Sequence, residues 1–126
     1  MPRKGYSAEY LAKRKLITSY GEENVIKTAS QRGIPDYIIL NPIMGIEVKS
    51  SRKPKVYIQS RDIRQWRATS NWMKKKKAPI FYWMVTKQKN KLNISIITHD
   101  RFGREYIEPY IKKHGDVGSV KYKDRR

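Results

Sequence analysis

The stretch GIPDYIILNPIMGIEVKS, residues 33–50, decides how this chain is read. Two short runs rich in β-branched and aliphatic residues, Asp36 to Leu40 and Ile46 to Ser50, flank Asn41-Pro42-Ile43-Met44-Gly45. Asn followed by Pro suits the first two positions of a type I turn, so the segment predicts a β-hairpin. It carries two acids and a lysine, Asp36, Glu47 and Lys49.

Parity decides whether these three meet. Residues opposite one another on antiparallel strands share a face, as do i and i+2 neighbours on one strand. With Asn41 to Met44 as the turn, Leu40 faces Gly45 and Asp36 faces Lys49. In a tighter hairpin Leu40 faces Ile43 and Asp36 faces Glu47. Both registers group the three side chains and turn Ile46 and Val48 toward the core, whereas a one-residue slip would send Asp36 to the other face. The competing reading makes Asp36 an ordinary turn residue after Pro35 and Glu47-x-Lys49 a surface ion pair.

Before the hairpin, Ser7 can cap a helix from Ala8 to Tyr20, with Ala8, Leu11, Ala12 and Leu16 on one stripe. Gly21 ends it, Asn24 to Thr28 reads as a short strand, and Ala29 to Gly33 as a loop. After the hairpin, Ser51 to Pro54 leads into an extended Val56-Tyr57-Ile58. A helix capped by Ser60 follows, with Ile63, Trp66, Ser70 and Met73 at helical spacing and Lys74 to Lys77 suiting its negative end. Ile80 to Thr86 is the most apolar run and predicts a central strand, with Leu92 to Thr98 as its partner. Arg104 to Lys113 reads as a short helix and residues 114–126 as a mobile basic tail. The whole, residues 1–126, is expected to be one domain.

The chain has 29 Lys plus Arg against 11 Asp plus Glu, a formal charge of +18, and a pI near 10.2. That excess is the footprint of a nucleic-acid binder. Cysteine is absent, which excludes disulfides, thiolate metal sites and a Cys nucleophile. No run is long and apolar enough to span a bilayer, and Met1-Pro2-Arg3-Lys4 leads into a polar segment, so a soluble, unexported protein acting in the cytoplasm is expected. The basic residues spread over several elements, which disfavours binding to a membrane surface through one basic helix face.

Phosphodiester cleavage needs a divalent cation to offset phosphate charge and to lower the pKa of an attacking water, and hard cations take oxygen ligands. Asp36 and Glu47, helped by the backbone carbonyl of Val48, suit such an ion, and Lys49 suits holding the water or stabilising the pentavalent charge. Gly33-Ile34-Pro35-Asp36 followed by Glu47-Val48-Lys49 resembles the PD-(D/E)XK nuclease signature. The flanks, Arg3-Lys4-Gly5 with Glu9, and Val48-Lys49-Ser50-Ser51 through Val56-Tyr57-Ile58 to Arg61-Asp62, are similar to the archaeal Holliday junction resolvases over Arg3 to Thr86.

The resemblance implies a restriction-endonuclease-like α/β core, a mixed sheet of about five strands flanked by helices. It implies Glu9 as a further metal ligand, a basic residue on the first strand matched by Lys27 where arginine is usual, and a catalytic Ser30, with Thr28 as the alternative. It also implies Mg²⁺, with Mn²⁺ substituting, a homodimer, and four-way branched DNA gripped through Arg3, Lys4, Lys27, Arg32, Arg52, Lys53, Lys55 and Arg61. Another nuclease of the superfamily would share the same catalytic residues, and a non-catalytic basic nucleic-acid-binding module would need none of them.

Trp66 reads as core before it reads as a base-stacking residue. Trp72, off the apolar stripe and beside Lys74, is expected at an interface or on DNA. His99 and His114 have no ligand partner in the sequence and read as bystanders. Abundant Ile, Lys and Tyr suit an archaeal thermophile or its virus.

Overall fold

The computed structural model describes residues 4–29, 31–89 and 91–116, with side chains from Tyr10 onward. The elements run α1 (Lys4–Tyr20), a 3-10 turn (Glu22–Asn24), β1 (Val25–Lys27), β2 (Tyr37–Leu40), β3 (Ile43–Ser50), α2 (Ser60–Lys76), β4 (Ile80–Gln88) and β5 (Lys91–Thr98). A last helical stretch comprises α3 (His99–Phe102), a π-helical segment (Gly103–Ile107) and α4 (Glu108–His114).

Among the described residues, five strands form one mixed sheet in the order β1-β2-β3-β4-β5. Only β3 and β4 run parallel, because α2 carries the chain back over the sheet between them, while the other neighbours are antiparallel. The central strand is therefore β3. The apolar β4 lies beside it and is still buried from both sides: Ile80, Tyr82 and Met84 enter one core and Trp83 and Val85 the other.

Each face of the sheet is covered differently. Ala12 and Leu16 of α1 pack with Tyr37, Ile39, Met44, Ile46, Trp83 and Val85 on one face. Ile63 and Trp72 of α2, with Phe102 and Ile107 from the last helical stretch, pack with Ile80, Tyr82, Met84 and Ile97 on the other.

Several local expectations change. The hairpin turn is the two residues Asn41 and Pro42, joined by a cis peptide, with Leu40 pairing Ile43, so it is not a type I turn over Asn41 to Met44. The cap of α2 is Gln59 and not Ser60: the Gln59 N–H donates to the Asp62 carboxylate (2.8 Å) and the Asp62 N–H to the Gln59 carbonyl (2.9 Å). The buried face of α2 carries Asp62, Ile63, Thr69 and Trp72. Reading Ser70 in place of Thr69 turned the helical wheel by one residue and left Trp72 outside, whereas it is 9% exposed. Thr69 tolerates burial because its hydroxyl donates to the carbonyl of Gln65, 2.9 Å away.

The final helix begins at His99, with the Thr98 hydroxyl accepting the Arg101 N–H at 3.0 Å. Trp66 joins it to α2: its Nε1–H donates to the His99 carbonyl (2.9 Å) and its ring stacks on the His99 ring. His99 is thus a buried structural residue, with Nε2 3.0 Å from the Trp66 carbonyl. The expected mobile tail falls, from residue 117 onward, outside the described residues.

Candidate active site

The site begins where the hairpin comes apart. Antiparallel pairing of β2 with β3 runs from Leu40 opposite Ile43 to Tyr37 opposite Ile46. Continuing that register one step sets Asp36 against Glu47, the tighter of the two predicted registers. At this step the side chain replaces the backbone, because Asp36 Oδ2 accepts the Val48 N–H at 2.9 Å. Thr28 pins the same segment from β1's side: its N–H donates to the Asp36 carbonyl (3.0 Å) and its hydroxyl to the Pro35 carbonyl (2.6 Å). Meanwhile β3 stays paired with β4 as far as Ser50 opposite Val85, so Glu47 and Lys49 project from a regular strand.

Helix α2 closes the other side. Its capping box fixes Asp62 at the first turn, where one carboxylate oxygen accepts the Gln59 N–H (2.8 Å) and the other binds the Lys49 ammonium. One turn on, Gln65 donates from Nε2 to Glu47 Oε2 at 2.6 Å. Asp36, Glu47, Val48, Lys49, Asp62 and Gln65, with Gln31, Arg32, Ile34 and Arg61, line one cleft of about 570 Å³.

Burial is the dominant force on Glu47, which is 3% exposed. It pushes the carboxyl up to about 8, aided by the negative charge of Asp36 and opposed by the Gln65 hydrogen bond and the Lys49 charge. The proton on Glu47 relieves a repulsion between two carboxylates that the fold forces together. A divalent cation between them would relieve it too.

The structure thus brings Asp36, Glu47, Lys49, Arg32 and Arg61 to one cleft. Lys27 is not among the lining residues. It pairs with Tyr37, whose ring belongs to the α1 face, and its ammonium lies 5.2 Å from that ring's centre. Strand alternation makes the difference: the first-strand residue opposite Tyr37 shares Tyr37's face, and Asp36 is one residue out of phase. Arg52, Lys53 and Lys55 are exposed in the segment after β3. The side chains of Glu9 and Lys4, and all of Arg3 and Ser30, lie outside the described residues.

Asp62 and Gln65 are the site residues that sequence reading missed as contributors. Their signal was present in Gln59-x-x-Asp62 and in Asp62 and Gln65 standing three apart, on one helix face. Nothing local shows that this face meets Glu47 and Lys49.

No protein-family model matches the chain, and no curated protein does. Among solved structures it is similar to Hjc, a Holliday junction resolvase from the archaeal hyperthermophile Archaeoglobus fulgidus, with a TM-score of 0.50 and 15% identity over 70% of each chain. At that identity the likeness is one of fold. The mixed five-stranded sheet flanked by helices is an α/β fold consistent with that of the resolvase.

Proposed function

We propose that this chain is a metal-dependent endodeoxyribonuclease that resolves four-way DNA junctions, with Asp36, Glu47 and Lys49 at its cutting centre. The observation that carries the reading is the convergence of these three on one cleft, rimmed by Arg32 and Arg61, in the fold of a junction resolvase.

The donor set fits a hard divalent ion. Two carboxylates stand close enough that Asp36 raises the proton affinity of Glu47, and Val48 lines the same cleft. Among the described residues no group of three or more His, Cys, Asp or Glu gathers as a metal cage. Mg²⁺ takes oxygen ligands and keeps several waters. Asp36, Glu47 and the Val48 carbonyl would hold it, with Glu9 as a fourth ligand on the resemblance, and Mn²⁺ would substitute. When bound, the ion supplies charge neutralisation at the phosphate and a more acidic water.

The chain's own side chains do the rest. Gln65 fixes the orientation of the Glu47 carboxylate. Lys49, anchored by Asp62, presents a positive charge to the phosphate oxygens as negative charge builds on them. Arg32 and Arg61 grip neighbouring phosphates, for which guanidinium groups are well shaped. Ser30 takes part in this reading on the resemblance alone, with Thr28 as the alternative. Cutting opposed strands of a junction needs two such sites, so the reading includes a homodimer with twice the chain mass of 15.0 kDa.

The test is to incubate the protein with Mg²⁺ and labelled four-way junction, duplex and single-stranded DNA, beside Glu47→Gln. Paired cuts in opposing junction strands, abolished in the variant while junction binding persists, are expected. Equal cutting of all three substrates would refute junction specificity, and binding without cutting in Mg²⁺ or Mn²⁺ would refute the enzyme.

A further inference from the structure

Beyond the cleft, β4 and the segment after β3 run side by side. Ser51 donates its N–H to the Val85 carbonyl (2.9 Å), and Lys87 donates its own to the Lys53 carbonyl (3.3 Å). The β4–β5 hairpin then projects past them, turning at Lys89, whose φ is 48°. In sequence, residues 48–61 and 83–99 contain no Asp or Glu. Arg52, Lys53, Lys55, Lys87, Lys89 and Lys91 are all exposed there. Tyr57 is 63% exposed among them, with the Lys53 ammonium 5.7 Å from its ring centre. A strip of exposed basic side chains beside an exposed aromatic ring is what a phosphate backbone needs: charge to displace its counterions and a flat face for a sugar or base.

We infer that this strip seats a duplex DNA arm leaving the cleft, with Lys89 and Lys91 at the tip of the β4–β5 hairpin as its outer contact. The geometry sets where. Lys49 pairs with Met84, and five further residues at ~3.3 Å each carry the chain to Lys89, about 16 Å beyond the cleft. At ~3.4 Å per base pair the hairpin meets phosphates about five base pairs from the cut. The inference uses the proposed cutting centre only as the origin of that distance.

The test compares Lys89→Gln/Lys91→Gln with Lys74→Gln/Lys75→Gln, which removes the same charge from the far end of α2, both checked for folding by circular dichroism. Duplex and junction binding are measured in EDTA across salt concentrations, so that cleavage is not needed. Each phosphate contact contributes ~0.9 to the slope of log K against log salt. The hairpin variant is expected to lose about 2 from that slope, and the helix variant to keep the wild-type value. Equal losses in both variants, or no loss in the hairpin variant, would overturn the inference. Phosphate-ethylation interference supplies the position: a signal about five base pairs from the cut, absent in the hairpin variant, is expected, and a hairpin-dependent signal elsewhere would overturn the placement. A chain that binds as described but fails to cut would refute the proposed activity and leave the DNA seat standing.

Discussion

Glu47→Gln is expected to make the metal-free protein more stable at alkaline pH, an unusual outcome for a substitution at a proposed active centre. The Glu47 carboxyl is pushed up from 4.5 to about 8, first by burial and then by Asp36. The folded chain therefore holds a proton that the unfolded chain gives up near pH 4.5. The stability linked to that proton is full below about pH 4.5 and is lost as pH rises through about 8. At ~1.36 kcal/mol per pH unit the interval sets a ceiling of about 5 kcal/mol. The cleft is open to water on one side, which eases charging of Glu47, so a loss of about 2 to 4 kcal/mol is expected. Gln cannot ionise and still offers an oxygen to Gln65. Urea unfolding in EDTA at pH 5, 6, 7, 8 and 9 should show the wild type falling relative to the variant with each step. Adding Mg²⁺ at pH 9 should restore the wild type and not the variant. Parallel stability curves, or a wild type that gains on the variant as pH rises, would refute the reasoning.

Three substitutions test the scaffold of the site. At Gly45 an added Cβ would lie 2.5 Å from Pro35 Cγ and 3.0 Å from Ile80 Cγ1, so Gly45→Ala should cost about 1 to 3 kcal/mol in urea unfolding and lower cleavage by shifting the neighbour of Asp36. Asp62→Asn keeps an acceptor for the Gln59 N–H and loses the charge that anchors Lys49. Its single-turnover cleavage rate should drop on the order of 10- to 100-fold with DNA affinity little changed, whereas an unchanged rate would remove Asp62 from the positioning of Lys49. Thr98→Ala removes the acceptor for the Arg101 N–H and should cost about 1 kcal/mol of stability without altering the rate once folded.

The order of elements was legible because each has a short-range cause. Alternation marks strands, helical spacing marks helices, and Asn-Pro marks the hairpin. Where the reading slipped, a longer-range partner decided. Trp72 lies between Lys74 and the polar side of a wheel drawn through Ser70, but Thr69 is the buried residue because its hydroxyl satisfies itself on the helix backbone. Gln59 displaces Ser60 as cap because Asp62 reaches back to it. Lys27 was matched to the catalytic face by resemblance, and the pairing of β1 with β2 sends it to the α1 face.

For the grouping of Asp36 with Glu47 and Lys49 the sequence alone was enough. All three belong to one hairpin, both registers allowed by its turn have the same parity, and strand geometry does the rest. What makes that group a site was decided by tertiary structure. The parallel return of β4 and the crossover helix α2 bring Asp62 to Lys49 and Gln65 to Glu47 from another part of the chain. They also bury Glu47 beside Asp36. Desolvation and the meeting of distant charges depend on which surfaces pack together, and no local spacing records that.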